Sequence, residues 1–478
     1  MLLARVALHP VVQTATERLA AAREGLDTPI LERAVGLLGI ITMLGLTYLM
    51  SYDRKRIDWK LVASGLALQT FFGLIVLKTE AGRVVFQYVG DLITKLLGFQ
   101  EQGARFVFGN LVQSTVPVSG GPAEGAGMVA NTGAYFAFNV LPTIIFFSAL
   151  MSVMYYLGIM QLIVKGLAYV MQKTLKTSGP ETLSASGNIF LGQTEAPLLI
   201  KPFIGTMSRS ELNTVMVGGF ATVAGGVLAA YVGMLSGWFP GIAAHLLAAS
   251  VMNAPAGLVL SKILLPESEE ARAKAAGLRE AEEAMKAAEP VPARKRIFQI
   301  GGHSGESGAI EAAANGAAQG VQLAINVGAM LMAFVALVAL LNALLGWTGS
   351  MVGVDGLSLQ RILGFLLRPL AWVMGVPWQD TAYVGSLIGI KATLNEFVAY
   401  AQFGADLAAG QILEPRSAII LTYALLGFAN FSSIAIQIGG IGGLAPERKG
   451  EIAMLGLRAM IAGNLAAFMS ASLAGMLV

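Results

Sequence analysis

Long stretches of apolar residues alternate with short polar segments along most of the chain. Eight of these stretches approach or exceed the ~20 apolar residues that a helix needs to cross a bilayer. They cover residues 34–50, 61–77, 134–160, 215–239, 242–261, 321–345, 418–438 and 452–478. Only the last one contains a charged residue, Arg458. The pattern predicts an all-α polytopic membrane protein with eight transmembrane helices.

Three weaker stretches mix charged residues with large apolar ones, which is typical of helices that lie along the membrane surface. These predicted interfacial helices cover residues 81–99, 161–175 and 357–374. The chain then divides into an N-terminal amphipathic segment (1–33), the first two spans with an interfacial helix (34–130), and the third span with an interfacial helix (131–175). A first hairpin with the fourth and fifth spans follows (176–265), then a charged cytoplasmic linker (266–316). The sixth span with an interfacial helix (317–376) precedes a second hairpin with the seventh and eighth spans (377–478).

Lysine and arginine collect in three of the predicted loops. These loops follow the first span (54–60), follow the fifth span (272–296) and precede the last span (448–449). Eight crossings place all three loops on one face, and basic loops favour the cytoplasm. The sequence therefore predicts a multi-pass protein of the cell inner membrane, with both termini on the periplasmic side.

The composition supports a membrane protein and argues against several other classes. Of the 478 residues, 55% are hydrophobic and 13% are charged, against roughly a quarter charged in an average soluble domain. The 32 Lys and Arg residues nearly balance the 29 Asp and Glu residues, and no basic stripe suits a nucleic-acid partner. There is no cysteine, and the three histidines (His9, His245 and His303) lack the spacing of a zinc site.

Two carboxylates lie inside otherwise apolar sequence. Glu195 lies within 184–200, and Glu396 lies within 389–400. A carboxylate at membrane depth costs several kcal/mol, so it marks a functional site more often than a packing choice. A structural alternative is that each carboxylate pairs with Lys391 or with a backbone amide.

The sequence around each carboxylate predicts a re-entrant hairpin. Gln193, Thr194 and Glu195 are consecutive and would spread over ~200° of a continuous helix, so they could not face one ligand. Gly192 is a candidate helix stop, Thr194 a candidate N-cap, and Pro197 suits the first turn of a new helix. The second hairpin, at 381–403, has Asn395 and Glu396 at its bend.

Each predicted hairpin is followed by a span that small and polar residues interrupt, at 218–226 and at 427–433. The two hairpins enter from opposite faces, so the arrangement is an inverted repeat. Inverted repeats of this kind hold substrate and ion sites near the bilayer midplane, where broken helices meet. The repeat predicts a transporter.

Several of these polar residues also have a purely structural interpretation. Asn188 could cap a helix with its side chain, and Asn430 and Ser433 could bond to a neighbouring helix. His245 could be a packed histidine. Asn139, Asn326 and Asn464 could serve only as hydrogen bonds between helices.

Five segments together resemble the signatures of the concentrative nucleoside transporter family. They are 192–197 (GQTEAP), 395–400 (NEFVAY), 427–433 (GFANFSS), 136–148 (FAFNVLPTIIFFS) and 322–329 (QLAINVGA). The resemblance extends from the first span to the end of the chain, but excludes the N-terminal segment and the charged linker.

The resemblance implies a fold and a set of site residues. The implied fold has eight transmembrane helices and two opposed hairpins, assembles as a homotrimer, and uses the third and sixth spans as a scaffold for a moving transport domain. The implied nucleobase contacts are Gln193, Thr194 and Glu195, and the implied ribose contacts are Glu396, Asn430 and Ser433. Phe428 and Val227 would line the pocket. The implied sodium ligands are Asn188, the Leu191 carbonyl, Thr222 and the Val223 carbonyl.

The resulting prediction is a sodium-coupled nucleoside symporter that imports nucleosides by alternating access. Its partners would be a nucleoside, membrane lipids and two further copies of the chain, with sodium as the coupling ion and no other cofactor. Proton coupling through Glu195 or Glu396 is one alternative. An intramembrane enzyme that uses these carboxylates as an acid and base pair is a second, and a passive channel is a third.

Overall fold

A computed structural model describes residues 28–112, 115–117, 129–131, 136–268 and 307–478. In the first part of the chain the helices are α1 (Ile30–Leu49), α2 (Trp59–Lys78), α3 (Glu80–Phe108), α4 (Phe136–Asn139), α5 (Leu141–Tyr156), α6 (Ile159–Leu175), α7 (Gly179–Gly187), α8 (Lys201–Ile204), α9 (Arg209–Ala221), α10 (Gly225–Leu235) and α11 (Ile242–Leu264). In the second part they are α12 (Ala309–Met351), α13 (Leu359–Val373), α14 (Thr381–Thr393), α15 (Glu396–Ala408), α16 (Pro415–Leu425), α17 (Phe431–Leu444) and α18 (Lys449–Leu477).

Most of the N-terminal amphipathic segment and of the charged linker, with His9 and His303, lies outside the described residues. Within the described residues, strands are limited to a two-stranded antiparallel pair, β1 (Thr115–Pro117) and β2 (Val129–Asn131), which the sequence did not predict. The remaining architecture is helical, so the all-α membrane fold is confirmed.

The predicted spans correspond closely to long apolar helices. In the described ranges, six helical segments are long and apolar enough to cross a membrane, one of them being α9 and α10 taken together, and the number is seven if the bent pair α5 and α6 counts as one span. The predicted number of eight is not reached on this criterion. The seventh predicted span is divided into α16 and α17, of 11 and 14 residues, and neither half is long enough alone.

The third span is shorter than predicted. It was expected to reach residue 160, but α5 ends at Tyr156 and the chain bends by 77° into α6. Gly158 lies at the bend with φ +78°, a conformation that glycine adopts without strain. Helices α3, α6 and α13 match the predicted interfacial stretches, although α3 continues to Phe108.

The first hairpin has a longer bend than the sequence predicted. Ser178 and Glu181 form a reciprocal capping box that starts α7, and the helix already ends at Gly187. Gly192 is therefore not the helix stop. Thr194 is not the N-cap either, because Glu195 directly precedes the 3₁₀ turn Ala196–Ile200 and no side chain caps that turn.

The second hairpin and the two interrupted spans follow the predicted pattern. Helices α14 and α15 meet at a bend, where the Asn395 side chain accepts a hydrogen bond from the Val398 N–H at 2.8 Å. The fourth span consists of α9 and α10 with a break at 222–224. The seventh span consists of α16 and α17 with a break at 426–430. The order of helix, bend, helix and broken span therefore occurs twice.

Helix α12 packs closely along α5, so the third and sixth spans are in direct contact. Gly316 and Gly320 are four residues apart on the contacting face of α12. A Cβ atom at Gly320 would lie 2.7 Å from the Ile145 Cα and 3.0 Å from the Ser148 Cβ. Small residues at this spacing let membrane helices approach each other, and here they are required.

Candidate functional site

The Glu396 carboxylate is the centre of a buried polar cluster. It starts α15 at the bend of the second hairpin, and its residue is only 4% exposed. Oε1 accepts a hydrogen bond from the Tyr231 hydroxyl at 3.0 Å, and Oε2 accepts one from the Asn430 amide Nδ2 at 3.0 Å. Both carboxylate oxygens are therefore held by neutral donors from two different spans.

Asn430 continues the cluster into the seventh span. Its side-chain oxygen accepts the Ser433 N–H at 3.0 Å, which caps the first turn of α17. The Ser433 hydroxyl oxygen accepts a hydrogen bond from Gln193 Nε2 at 3.2 Å. A single network thus joins the second hairpin, the broken seventh span and the first hairpin.

Gln437 extends this network to the fourth span. Its amide nitrogen donates to Gln193 Oε1 at 3.1 Å and to the Met216 carbonyl at 3.0 Å. We call the set Glu396, Asn430, Ser433, Gln193 and Gln437 the polar network. It contains four of the predicted site residues. All of its members are buried.

Thr194 and Glu195 are not part of the polar network. In the described part of the chain, Glu195 Oε2 accepts a hydrogen bond from the Gly192 N–H at 3.1 Å, which closes the bend of its own hairpin. Thr194 packs against α17, where a Cβ atom at Gly440 would lie 2.8 Å from the Thr194 Cγ2. The three consecutive residues therefore diverge, and only Gln193 reaches the other hairpin's cluster.

An aromatic group lies next to Glu396. The Tyr231 ring stacks on the Tyr400 ring with centroids 4.2 Å apart and meets the Phe397 ring edge at 5.5 Å. Of the two predicted pocket residues, Val227 belongs to the same apolar cluster, and Phe428 is partly buried and packs against it. The polar network therefore has an apolar and aromatic wall, as small-molecule sites commonly do.

A second polar cluster lies where the first hairpin meets the fourth span. Asn188 follows α7 and is completely buried, and neither its Nδ2 nor its Oδ1 has a hydrogen-bond partner among the described residues. A Cβ atom at Gly218 would lie 3.1 Å from this Nδ2, so α9 passes directly beside the amide. The Thr222 hydroxyl donates to the Gly218 carbonyl at 2.8 Å, which leaves its lone pairs free to bind a cation.

The remaining two predicted cation ligands lie at the same junction. Leu191 and Val223 are buried, in the bend of the first hairpin and in the break of the fourth span. The Phe190 carbonyl accepts the Gly225 N–H at 2.8 Å, which ties these two non-helical segments together. The buried Asn188 amide needs a partner, since an unpaired polar group is costly to bury. A hard cation would be such a partner, because hard cations prefer oxygen ligands and the site offers neutral oxygens. In the described residues, no group of three or more His, Asp or Glu side chains could hold a metal.

Comparison with known proteins identifies the chain. Family models described as the N-terminal and C-terminal parts of a Na⁺-dependent nucleoside transporter match residues 38–111 and 245–475, and a model described as nucleoside recognition matches 137–238. The chain is 43% identical over 444 residues to "Uncharacterized transporter YutK" of Bacillus subtilis, with 93% of this chain and 99% of that protein covered. The chain belongs to the concentrative nucleoside transporter family.

Animal relatives and solved structures agree with this assignment. The mouse "Sodium/nucleoside cotransporter 1" is 41% identical over 459 residues, which cover 93% of this chain and 64% of the mouse protein. The structure of CNTnw in an inward-facing substrate-bound state has a TM-score of 0.80 and 40% identity, and covers 94% of this chain and 98% of that one. Because the family consists of transporters, the intramembrane enzyme considered above is excluded.

Three structural alternatives can now be judged within this transporter fold. The Asn188 side chain does not cap its helix, since both amide atoms lack partners among the described residues. Lys391 binds the Ala424 and Leu426 carbonyls through its ammonium group, and among the described residues it makes no ion pair with Glu396, although the two charges interact. Asn464 does act between helices, because its Nδ2 donates to the Ala429 carbonyl at 2.8 Å.

The other structural alternatives concern side chains at helix faces. His245 packs between the Phe239 and Tyr423 rings, at 5.6 and 6.1 Å between centroids, as a packed histidine should. Asn326 accepts a hydrogen bond from Gln322 within α12 and does not bridge two helices in that contact. The Asn139 side chain is outside the described residues.

Two residues of the candidate site were not predicted from the sequence. Tyr231 was hidden in an apolar span, and Gln437 in the second half of the seventh span. The only signal for Gln437 was an amide between isoleucines in an apolar helix, which is a costly residue at that depth. No comparable signal exists for Tyr231, because a tyrosine in a span is common near either surface.

We expect Tyr231→Phe to lower the thermal stability of the purified protein. The substitution keeps the ring that stacks on Tyr400 but leaves Glu396 Oε1 without its donor, which costs about 1–3 kcal/mol for a buried group. The matched control is Tyr423→Phe, since the buried Tyr423 hydroxyl has no partner among the described residues. Unfolding followed by tryptophan fluorescence in detergent measures both. Equal shifts for the two variants would show that the bond to Glu396 contributes nothing.

Proposed function

We propose that the protein is a sodium-coupled nucleoside symporter that imports nucleosides across the inner membrane by alternating access. The observation that carries the proposal is the polar network, which links both hairpins and both broken spans inside an apolar protein. A carboxylate with two bound donors accepts well from a diol such as that of ribose, because charge-assisted hydrogen bonds are the stronger kind. The amides of Gln193 and Gln437 both donate and accept, as recognition of a nucleobase edge requires.

In this proposal the bound nucleoside replaces bonds that now close the network on itself. Glu396 and Asn430 would turn to the ribose hydroxyls, with Ser433 beside them and Val227 and Phe428 lining the pocket. Gln193 would turn to the nucleobase, with Thr194 and Glu195 at the same bend contributing directly or through water. A site built from hydrogen bonds rejects ligands that lack the matching hydroxyl, since its own buried groups are then unpaired.

We further propose that sodium binds between Asn188, the Leu191 carbonyl, Thr222 and the Val223 carbonyl. The unpaired Asn188 amide and the two non-helical segments beside it support this assignment. One cation that crosses ~100 mV releases about 2.3 kcal/mol, and a tenfold gradient adds ~1.4 kcal/mol. Together these would drive a neutral nucleoside to a roughly 400-fold gradient, at tenfold per ~1.4 kcal/mol.

The arrangement in the membrane is also part of the proposal. The basic loops would face the cytoplasm and both termini the periplasm, with the hairpins opposed and α5 and α12 forming the scaffold. Helix α12 has 43 residues, so its ~65 Å length exceeds the ~30 Å hydrocarbon core. Large apolar side chains are exposed near both of its ends, including Ile310, Trp347 and Met351. Contact with two further copies in a homotrimer would cover them, and membrane lipids would cover the rest.

We expect Glu396→Gln to reduce nucleoside uptake by roughly tenfold to a hundredfold while the protein remains folded, because one charge-assisted acceptor becomes a donor. Radiolabelled nucleoside uptake into proteoliposomes measures the effect, and gel filtration shows whether the fold is kept. The control Glu447→Gln alters an exposed carboxylate and should transport normally. Normal uptake by Glu396→Gln would refute its role with ribose. Uptake that never exceeds equilibrium in the unsubstituted protein would indicate the passive channel.

We expect Thr222→Ala to raise the sodium concentration for half-maximal uptake, with little change in nucleoside affinity at saturating sodium. The matched control is Thr422→Ala, since Thr422 makes the same bond to the carbonyl four residues earlier, in the seventh span. Sodium and pH gradients are imposed separately on proteoliposomes that contain each variant. An unchanged sodium response would remove Thr222 from the cation site. Uptake driven by the pH gradient alone would favour proton coupling.

Single cysteines test the proposed orientation, because the natural chain has none. Lys55→Cys in the loop after α1 should be protected from a membrane-impermeant maleimide on intact cells, and Asp355→Cys after α12 should react. Both positions are exposed in the single chain. The reverse labelling would invert the topology. The mass of the same preparations by native mass spectrometry should equal three chains, and a single-chain mass would contradict the trimer.

A further inference from the structure

Lys391 is a buried cation in the membrane interior that the proposed function does not use. It lies in the last turn of α14, at the bend of the second hairpin, and is 0% exposed. Its ammonium nitrogen is 2.9 Å from the Ala424 carbonyl and 3.2 Å from the Leu426 carbonyl. The Phe468 ring of α18 covers it, with the nitrogen 5.4 Å from the ring centroid.

The Ala424 carbonyl belongs to the last turn of α16, and the Leu426 carbonyl belongs to the break in the seventh span. Helix α16 ends at Leu425, so its last carbonyls have no helical partner. The end of a helix also carries partial negative charge, which a cation stabilises. Lys391 therefore places its side-chain nitrogen where the seventh span unwinds.

Asn188 lies at a comparable but not identical place in the first hairpin, at the end of its first helix. Asn188 precedes Glu195 by seven residues, and Lys391 precedes Glu396 by five. Asn188 lies beside Gly218, in the last turn of α9 before the break in the fourth span, and Lys391 binds the Leu426 carbonyl in the break of the seventh. One repeat thus has an uncharged, unpaired amide at its break, and the other has an ammonium group already bound to carbonyls.

The two breaks are in direct contact. The Phe428 N–H donates to the Thr222 carbonyl at 3.2 Å. Gly427 has φ +117°, and a Cβ atom there would lie 2.7 Å from the Phe220 carbonyl oxygen. A shift of the segment that Lys391 holds would therefore move the residues that directly precede Asn430. Asn430 is a member of the polar network and would move with them.

We propose that Lys391 is a covalently attached counterpart of the coupling cation, and that its ammonium group positions the break of the seventh span so that Asn430 reaches Glu396. The comparison with a coupling cation rests on the proposed function. The binding of the ammonium group to the carbonyls of the seventh span does not depend on the proposed function. Lys391 is thus a positioning residue for the proposed ligand site, because it holds the backbone that leads to Asn430, and its charge also interacts with that of Glu396.

The test compares Lys391→Met, Lys391→Gln and Lys391→Arg in purified full-length protein, with nucleoside binding measured by scintillation proximity. We expect Lys391→Met to weaken nucleoside affinity by about tenfold or more. Sodium should still raise the unfolding temperature of this variant, since the substitution leaves Asn188, Thr222 and the carbonyls of Leu191 and Val223 unchanged. Lys391→Arg keeps the charge and should bind more tightly than Lys391→Gln. The control is Lys262→Met, which removes a buried lysine of α11. Lys262 pairs with Glu181 of α7 at 2.6 Å, and neither residue belongs to the second hairpin.

Two results would overturn the proposal: an unchanged nucleoside affinity in Lys391→Met, or equal affinities in Lys391→Gln and Lys391→Arg. If Lys391→Met does not accumulate, the comparison of Gln with Arg decides alone. Loss of nucleoside affinity in Lys262→Met to the same extent would also contradict a specific role. Binding by the unsubstituted protein separates the two proposals. If it needs no sodium, the coupling proposal fails, and the effect of Lys391 on affinity is still measured.

Discussion

The structure depends on the satisfaction of backbone groups that two broken spans expose inside the membrane. Water is scarce there, so each freed carbonyl or N–H needs a partner from the protein. Side chains from other helices supply most of these partners. Asn253 Nδ2 binds the Ala221 carbonyl at 2.7 Å, Asn464 binds the Ala429 carbonyl, and Lys391 binds one carbonyl in the last turn of α16 and one directly after it. The breaks are therefore fixed parts of the fold, and the polar network is built on them.

This constraint explains why the polar network crosses so many elements. A break places an N-terminal helix end at the middle of the span, and Asn430 caps that end while its amide reaches Glu396. The second hairpin does the same with Asn395 directly before Glu396. Helix starts favour negative charge nearby, so both starts stabilise the carboxylate. The cost of burying a charge is thus lowered by the same geometry that forms the site.

The sequence predicted the elements of the fold well because the membrane imposes a simple rule on them. A span must be apolar and of a certain length, so α1, α2, α11 and α18 could be located within a few residues. The errors occurred where backbone conformation decides the outcome. The bend after α5 depends on one glycine at φ +78°, and the early end of α7 leaves Asn188 outside the helix. Neither feature changes the hydropathy pattern.

The site was predicted unevenly for a related reason. Glu396 was identified from its cost in lipid, and Asn430 and Ser433 from the interruption of a span and from the resemblance. The divergence of Gln193 from Glu195 could not be predicted, because it depends on the local path of an irregular bend. Gln437 and Tyr231 each provide a partner for a residue that was identified, and such partners become apparent only when the helices are packed.

The contact between the two breaks gives a physical route by which a cation could affect a ligand. Thr222, a proposed cation ligand through its side chain, accepts the Phe428 N–H through its carbonyl. Phe428 precedes Asn430 by two residues, and the Asn430 N–H donates to the Phe428 carbonyl at 3.0 Å. A cation that orders Thr222 would therefore order the segment that holds the amide against Glu396. Coupling by this route would act through shared backbone and would require no direct contact between cation and nucleoside.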